Sequence, residues 1–450
     1  MSSLNEFFDY KIAALLHDPV NKAWLLVEGE NHEEKAKMYA MKLLEGSNLS
    51  ARIGSILAHI SDRRSKHVVG RADALASSID RWVISILTTY KDQYLHGVFK
   101  VNRADIIKNV IDPRYKIKLR KPKSQGISEF IRELSNILKH FKDDKRLLYH
   151  VLYALYEVIF YNKVGEEDIF VGSAADTRCP THTVFDHAYA TTTMINIIKH
   201  RNGIVEHDEP SKFLNGYVVV VDLAGVQKYL MASRKLRDLW ISSWFASMLA
   251  WTSIWPLILA LGPDILVTPS PRNNPFYYSY LLAVIKSRLE AAKNKVIVER
   301  ISNYFSKAIG KLNKGIPRFG VIPTQLVLLL PPINIIREGL KEITNDEKLL
   351  PKDIRKKLLS LVKCDEKWKN SKTAIIKVIL GLYKTLWEKL VSKIMDEVLN
   401  PKYDLTRVLE KILREYNEWD FEKLREAFNT IRNYPPLPIR IVVLLSLIHI

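Results

Sequence analysis

The sequence predicts an α+β protein built mainly from helices, on three observations. Apolar residues recur at helical spacing through most of the first two hundred positions. A β-branched run, Gly216–Asp222 (GYVVVVD), then opens a stretch where short strands alternate with helices. From Ile336 to Leu444 the chain is charged and helical in pattern. At ~150 residues per domain, 450 residues suggest three units: 1–205, 206–335 and 336–444.

In the first unit, Phe8–Leu16, Ala51–Ile60, Ala72–Leu87, Ile127–Leu138, Leu147–Tyr161 and Thr181–Ile198 read as helices. Lys116–Ser124 (KIKLRKPKS) is basic and contains Pro122, so it reads as an exposed loop. His200–Pro210 is polar and carries Gly203, which marks a boundary. In the second unit, Gly216–Asp222 is a buried strand and a long helical pattern follows Gly225 to Leu261. Ile265–Thr268 is a second strand, closed by Pro269 and Pro271. Tyr277–Ala308 is helical, and Thr324–Leu330 is a strand closed by Pro331 and Pro332. Strand, helix, strand, helix, strand suggests a small ferredoxin-like unit.

An apolar share of 47% and a charged share of 26% exclude a disordered or fibrous chain. Lys and Arg number 68 against 49 Asp and Glu, leaving +19. That field favours polyanionic partners. Two cysteines, Cys179 and Cys364, make neither a disulfide framework nor a four-thiolate zinc site. Met1–Tyr10 does not read as a signal peptide. A reducing, cytoplasmic setting is expected. Trp244–Leu261 is long and apolar but holds Ser247, Thr252, Ser253 and Pro256, so it reads as a buried helix and no membrane is expected.

His17-Asp18 stands at the end of an amphipathic helix, before Pro19. Neighbouring imidazole and carboxylate can both reach one metal centre. The dipeptide alone equally fits a histidine at a helix C-terminus, where a cation is favourable. His182, Asp186 and His187 form a second cluster, with His182 and Asp186 four apart on one helical face. His59 and His67 read as exposed polar residues near Asp73. The GxxxxGK[ST] and GxGxxG phosphate loops are missing from the sequence. Arg234, Lys235 and Arg237 either face phosphates or form a solvated helix face with Asp238. Arg272 is the one cation of a turn-rich loop, Pro269–Tyr277.

Several of these stretches together resemble one family. KIAALLHDPVNKAW (Lys11–Trp24), RADALASSIDR (Arg71–Arg81), AADTRCPTHTVFDHAYATT (Ala174–Thr192) and VVVVDLAGVQKYLMASRKLRDLWISSW (Val218–Trp244) stand in the order found in the large subunit of type III-B, Cmr-type CRISPR effector complexes. PSPRNNPFY and VIPTQLVLL fit later positions of the same family. The resemblance implies an HD-type metal-dependent nuclease with permuted motifs, followed by a polymerase-like palm. Val20 stands where a second proline is usual, and Cys179 precedes Pro180; neither removes a ligand.

By that resemblance, His17 and Asp18 are the HD pair, catalytic and metal-ligating. Asp73, His182 and His187 are further ligands, and Asp186 sits behind them. Lys22, just after the pair, neutralises a substrate phosphate; on the reading of the residues themselves, Arg234, Lys235, Arg237 and Arg272 complete the substrate-binding set. The implied metal is manganese, nickel or cobalt, with magnesium a poorer match to imidazole and carboxylate. The implied partners are single-stranded DNA, guide RNA, target RNA and sibling subunits, especially the small subunit that contacts the palm. ATP would bind at the palm, as half of a cyclic-oligoadenylate synthase. The Gly-Gly-Asp-Asp turn of that activity does not occur in these 450 residues.

Two other classes stay open: an HD-type nucleotide phosphohydrolase, and an assembly scaffold whose metal site has decayed. The last residues, Leu445–Ile450 (LSLIHI), match one frame of a common sequencing-library transposase adapter. We therefore expect an N-terminal piece of the subunit with residues 445–450 non-native; a genuine C-terminal strand is the other reading. A natural stop codon after Ile450 in the intact locus would sink the first.

Overall fold

A computed structural model describes residues 3–60, 66–78, 104–109, 112, 114–165, 170–177, 180–289, 294–309, 320–363, 368, 370–400, 402, 406–407 and 420–445. Cys179 and Cys364, and the expected helix beyond residue 78, lie outside them.

Helix α1 (Leu4–Leu16) starts with a capping box between Ser3 and Glu6 and stops at His17, ahead of Pro19. Phe7 through Leu16 are all buried, so α1 is a central helix rather than a surface one. Around it follow α2 (Lys22–Val27), α3 (His32–Leu43), α4 (Asn48–Ile60) and α5 (Val68–Ala76). A two-stranded antiparallel hairpin comes next, β1 (Ile106–Lys108) and β2 (Lys116–Lys118). The basic run expected as a loop thus begins as a strand; its cross-strand partner lies ten residues upstream, beyond what local pattern reports. Then come α6 (Ser124–Leu138), α7 (Lys145–Val164) and α8 (Val184–Ile195). Helix α1 packs against α4, α5, α7 and α8.

The second region is a four-stranded sheet of β3 (Tyr217–Leu223), β4 (Leu266–Thr268), β5 (Gln325–Leu330) and β6 (Ile439–Leu445). Its spatial order is β4-β5-β3-β6, and every neighbouring pair is antiparallel. In β3, Tyr217, Val219, Val221 and Leu223 are buried while the alternate residues are half-buried, as the two-residue period of a strand requires. The stretch after Gly225 is two helices, α9 (Val226–Met231) and α10 (Leu236–Leu261), broken at Ala232–Lys235. Likewise Tyr277–Ala308 divides into α11 (Pro275–Arg288) and α12 (Lys295–Ile309). Helix α10 is long and apolar enough to cross a membrane, but 78% of its most apolar window is buried inside the fold, against α13 (Ile333–Asn345) and α15 (Ser371–Leu399) among others.

Helices α13, α14 (Lys352–Val362), α15 and α16 (Phe421–Asn433) separate β5 from β6. Strand β6 corrects the expectation of an all-helical stretch to Leu444. Its apolar run pairs with β3 from Leu223↔Ile439 to Tyr217↔Leu445, so the backbone of Leu445 belongs to the sheet. Residues 446–450 lie outside the described set.

One contiguous apolar core runs from Leu4 to Val443, across the boundary expected near residue 205. A buried polar knot crosses it too. Lys11 Nζ donates to the Leu261 carbonyl (2.5 Å) and to Asp264 Oδ1 (3.0 Å). Tyr149 donates to the same carboxylate at 2.8 Å, and Asn196 Nδ2 at 2.9 Å. Burial pushes the Lys11 ammonium down to about 8, the nearby Asp264 opposing it.

Candidate metal centre

Three helices converge on one point. The C-terminus of α1 supplies His17 and Asp18, α5 supplies Asp73, and α8 supplies His187. Each is oriented by its own backbone. His17 Nδ1 lies 2.7 Å from the Ala14 carbonyl, which can only accept; the proton is therefore on Nδ1 and Nε2 is free as a donor atom. Helix α5 is capped by His67, whose Nδ1 accepts from Val69 N at 3.3 Å. His67 is thus buried and structural, not the exposed polar residue expected. Helix α8 opens with a capping box: Asp186 N donates to Thr183 Oγ1 (3.2 Å) and Thr183 N donates to Asp186 Oδ2 (2.8 Å).

His187 follows directly, and its Nε2 faces that of His17 at 3.3 Å. Asp18 Oδ2 is 3.4 Å from His17 Nε2 and 3.7 Å from His187 Nε2. Asp73 Oδ1 is 2.9 Å from His187 Nε2 and 3.8 Å from His17 Nε2. His17, Asp18 and His187 are buried, and Asp73 keeps its side chain 33% exposed, so the cluster opens on the Asp73 side. Burial opposes the His17 imidazolium, but Asp18 and Asp73 outweigh it and raise its pKa. Burial likewise opposes the Asp73 carboxylate, yet contacts from His17 and His187 hold it well below the usual carboxylate range.

Other expected residues sit elsewhere. Lys22 Nζ donates to Asp18 Oδ2 at 2.6 Å, so its charge is spent on a ligand candidate. Asp18 is held below its ordinary value despite burial, Lys22 being the largest of the opposing charges. His182 precedes α8 and is not on a helical face with Asp186; its Nδ1 is 3.0 Å from Thr181 Oγ1 and its ring centroid 6.1 Å from that of His187. Arg234, Lys235 and Arg237 are exposed at the break between α9 and α10. Arg272 does not face solvent as a phosphate ligand would. Its guanidinium forks onto both oxygens of Glu157, donates to Asp186, and lies 5.0 Å from the Tyr189 ring centroid. It pins the first turn of α8, next to His187. Arg272→Ala is expected to cost about 2 kcal/mol, because half-buried carboxylates lose their donor; an unchanged urea midpoint would contradict this.

Sequence reasoning did not find His32. It opens α3, and its pKa, lowered mainly by burial, also responds to Asp18, Lys22 and His17. Only the long-range fold brings it there.

The comparisons with known proteins follow this geometry. A family model described as "CRISPR-associated protein Cmr2, N-terminal" matches residues 218–370. The CRISPR system CMR subunit Cmr2 of Saccharolobus solfataricus is 34% identical over 353 residues, covering 75% of this chain and 31% of that protein. The Cmr2 subunit of Pyrococcus furiosus is 25% identical over 319 residues, covering 60% of this chain and 32% of that protein. The chain therefore spans about a third of the length of these curated relatives. A chain of the type III-B Cmr-beta complex, solved by cryo-EM in its apo state, superposes with a TM-score of 0.64 at 27% identity, over 97% of this chain and 37% of that one. The chain belongs to the Cmr2 family, the large subunit of type III-B CRISPR systems.

Proposed function

We propose that this chain carries a divalent-metal site that hydrolyses single-stranded DNA phosphodiesters within a guide-RNA complex. One observation carries the reading: His17 Nε2, His187 Nε2, Asp18 Oδ2 and Asp73 Oδ1 converge with neighbouring separations of 2.9–3.8 Å. A cation bonded at ~2.0–2.2 Å has donor-to-donor edges of about 3–3.5 Å. The edges among His17, Asp18 and His187 are 3.3, 3.4 and 3.7 Å, so these three fit one, with Asp73 alongside the two imidazoles. The Nδ1–H of His17 on a backbone carbonyl is the outer hydrogen bond that ligating imidazoles need.

A bound divalent cation would supply Lewis acidity and lower the pKa of a water molecule. The chain's own residues do the rest. Asp18 and Asp73 each place negative charge within 3.8 Å of both imidazole Nε2 atoms. Lys22 donates to Asp18 Oδ2 and so holds that carboxylate in place. Near-complete burial of His17, Asp18 and His187 keeps the donors from swinging into solvent, and the Asp73 side is where substrate enters.

Two features support the wider reading. The spatial order β4-β5-β3-β6 with antiparallel neighbours supports a ferredoxin-like palm sheet, with α11 and α12 standing between β4 and β5 where that unit has a direct β-β connection. The +19 charge suits DNA, guide RNA, target RNA and ATP phosphates. Sibling subunits would hold the chain in a cytoplasmic complex.

Imidazole with carboxylate favours manganese, nickel or cobalt over magnesium. The 450-residue chain is thus expected to cut a labelled DNA strand in manganese, less in magnesium and not in EDTA, leaving free nucleotides intact. Phosphate release from mononucleotides with uncut strands would favour the phosphohydrolase instead.

A further inference from the structure

The basic run of residues 116–124 has no part in the metal centre, yet it is anchored beside it. Strand β1 is the inner strand of the hairpin: Ile106 and Lys108 are buried. Strand β2 turns all three side chains, Lys116, Ile117 and Lys118, to solvent. Tyr115, just before it, is 71% exposed, and Phe170 is 63% exposed. Phe170 is next to the hairpin, since Arg120 N donates to the Phe170 carbonyl at 2.8 Å. Among the described residues, Lys116 and Lys118 have no carboxylate partner. Lys121, by contrast, pairs with Glu28.

Hydrogen bonds tie the hairpin to the segment leading into α8 and, through Gly172, to α2, which follows the His17–Asp18 pair. Lys108 N donates to the Pro180 carbonyl (2.7 Å), four residues ahead of α8. Gly172 N donates to the Arg120 carbonyl (3.3 Å), while the Gly172 carbonyl accepts from Trp24 Nε1 (2.8 Å) in α2. A small apolar cluster of Ala23, Ala104 and Ala174, with Trp24 and Ile107 against it, fills the space between them. Two exposed cations with exposed aromatic rings beside them, Tyr115 and Phe170, on a backbone fixed to its neighbours, offer the two parts of a single-strand binding surface: charge for phosphates and faces for bases.

We propose that the β1–β2 hairpin is a platform that holds single-stranded DNA beside the metal centre, through Tyr115, Lys116, Lys118 and Phe170. The occupant named here rests on the nuclease reading; the binding itself does not.

The test is fluorescence anisotropy of a labelled 20-nucleotide DNA strand with the 450-residue chain in EDTA, titrated at several salt concentrations. Lys116→Glu with Lys118→Glu is expected to weaken binding at least about tenfold and to flatten the log-affinity against log-salt slope by about 1.4, at ~0.7 per phosphate contact. Tyr115→Ala is expected to weaken it about fivefold to tenfold by loss of a stacked base. All three side chains are exposed, so melting curves should match the parent. Variants that bind as the parent does, or a parent that does not bind, would overturn the platform. Tighter binding of RNA of the same sequence would overturn the DNA assignment. Hairpin-dependent binding without cleavage in manganese would sink the nuclease and keep the platform, and cleavage with hairpin-independent binding would do the reverse.

Discussion

Replacing His17 and Asp18 together with alanine is expected to lower manganese-dependent cleavage of single-stranded DNA at least about a thousandfold. The double change removes two of four converging donors and frees Lys22 from its carboxylate. Losing several kcal/mol of charge stabilisation at a metal corresponds to about that factor. Both side chains are buried, so the conservative Asp18→Asn is the necessary companion: it keeps the volume and removes the charge. If both variants cut as fast as the parent in manganese, these residues are not the site.

The second large effect concerns stability. Lys11→Met is expected to cost about 3–5 kcal/mol, the usual result of removing one partner from a buried ion pair. Methionine fills the space of the lysine stem but leaves Asp264 charged in a fully buried position. Tyr149 and Asn196 still donate to that carboxylate, though neither neutralises it. Lys11→Met/Asp264→Asn should therefore lose less than the sum of the single changes, with a coupling of about 1–3 kcal/mol in urea unfolding. Strict additivity would mean that Lys11 and Asp264 do not act as a pair. The knot joins α1, which bears His17 and Asp18, to the turn before β4, so a loosened knot should be felt at the metal centre as well.

What the sequence makes legible follows from local physics. Four consecutive valines declare β3, because their stiff side chains suit a pleated, buried strand. Pro19 announces the end of α1, where His17 and Asp18 sit. The resemblance supplied Asp73 and His187, and the fold brings both to His17 across long sequence separations. Other features depend on partners far along the chain. Strand β6 begins more than a hundred residues after β5 ends and is recognisable only once β3 is there to pair with it. Arg272 looks like a phosphate ligand in its polar loop, and only the approach of α7 and α8 shows that Glu157 and Asp186 claim it. His182 does not share a helical face with Asp186, because Thr183 caps the helix and its first residue is Val184.

The most direct test of the account is a manganese titration of the 450-residue chain, followed by the fall in the electron paramagnetic resonance signal of free manganese. The parent should take up at least one ion tightly. Asp18→Asn and His187→Ala should each lose that uptake, while Lys116→Glu with Lys118→Glu retains it. Equal uptake by the parent, Asp18→Asn and His187→Ala, or none by the parent, would contradict a metal centre at His17, Asp18, Asp73 and His187.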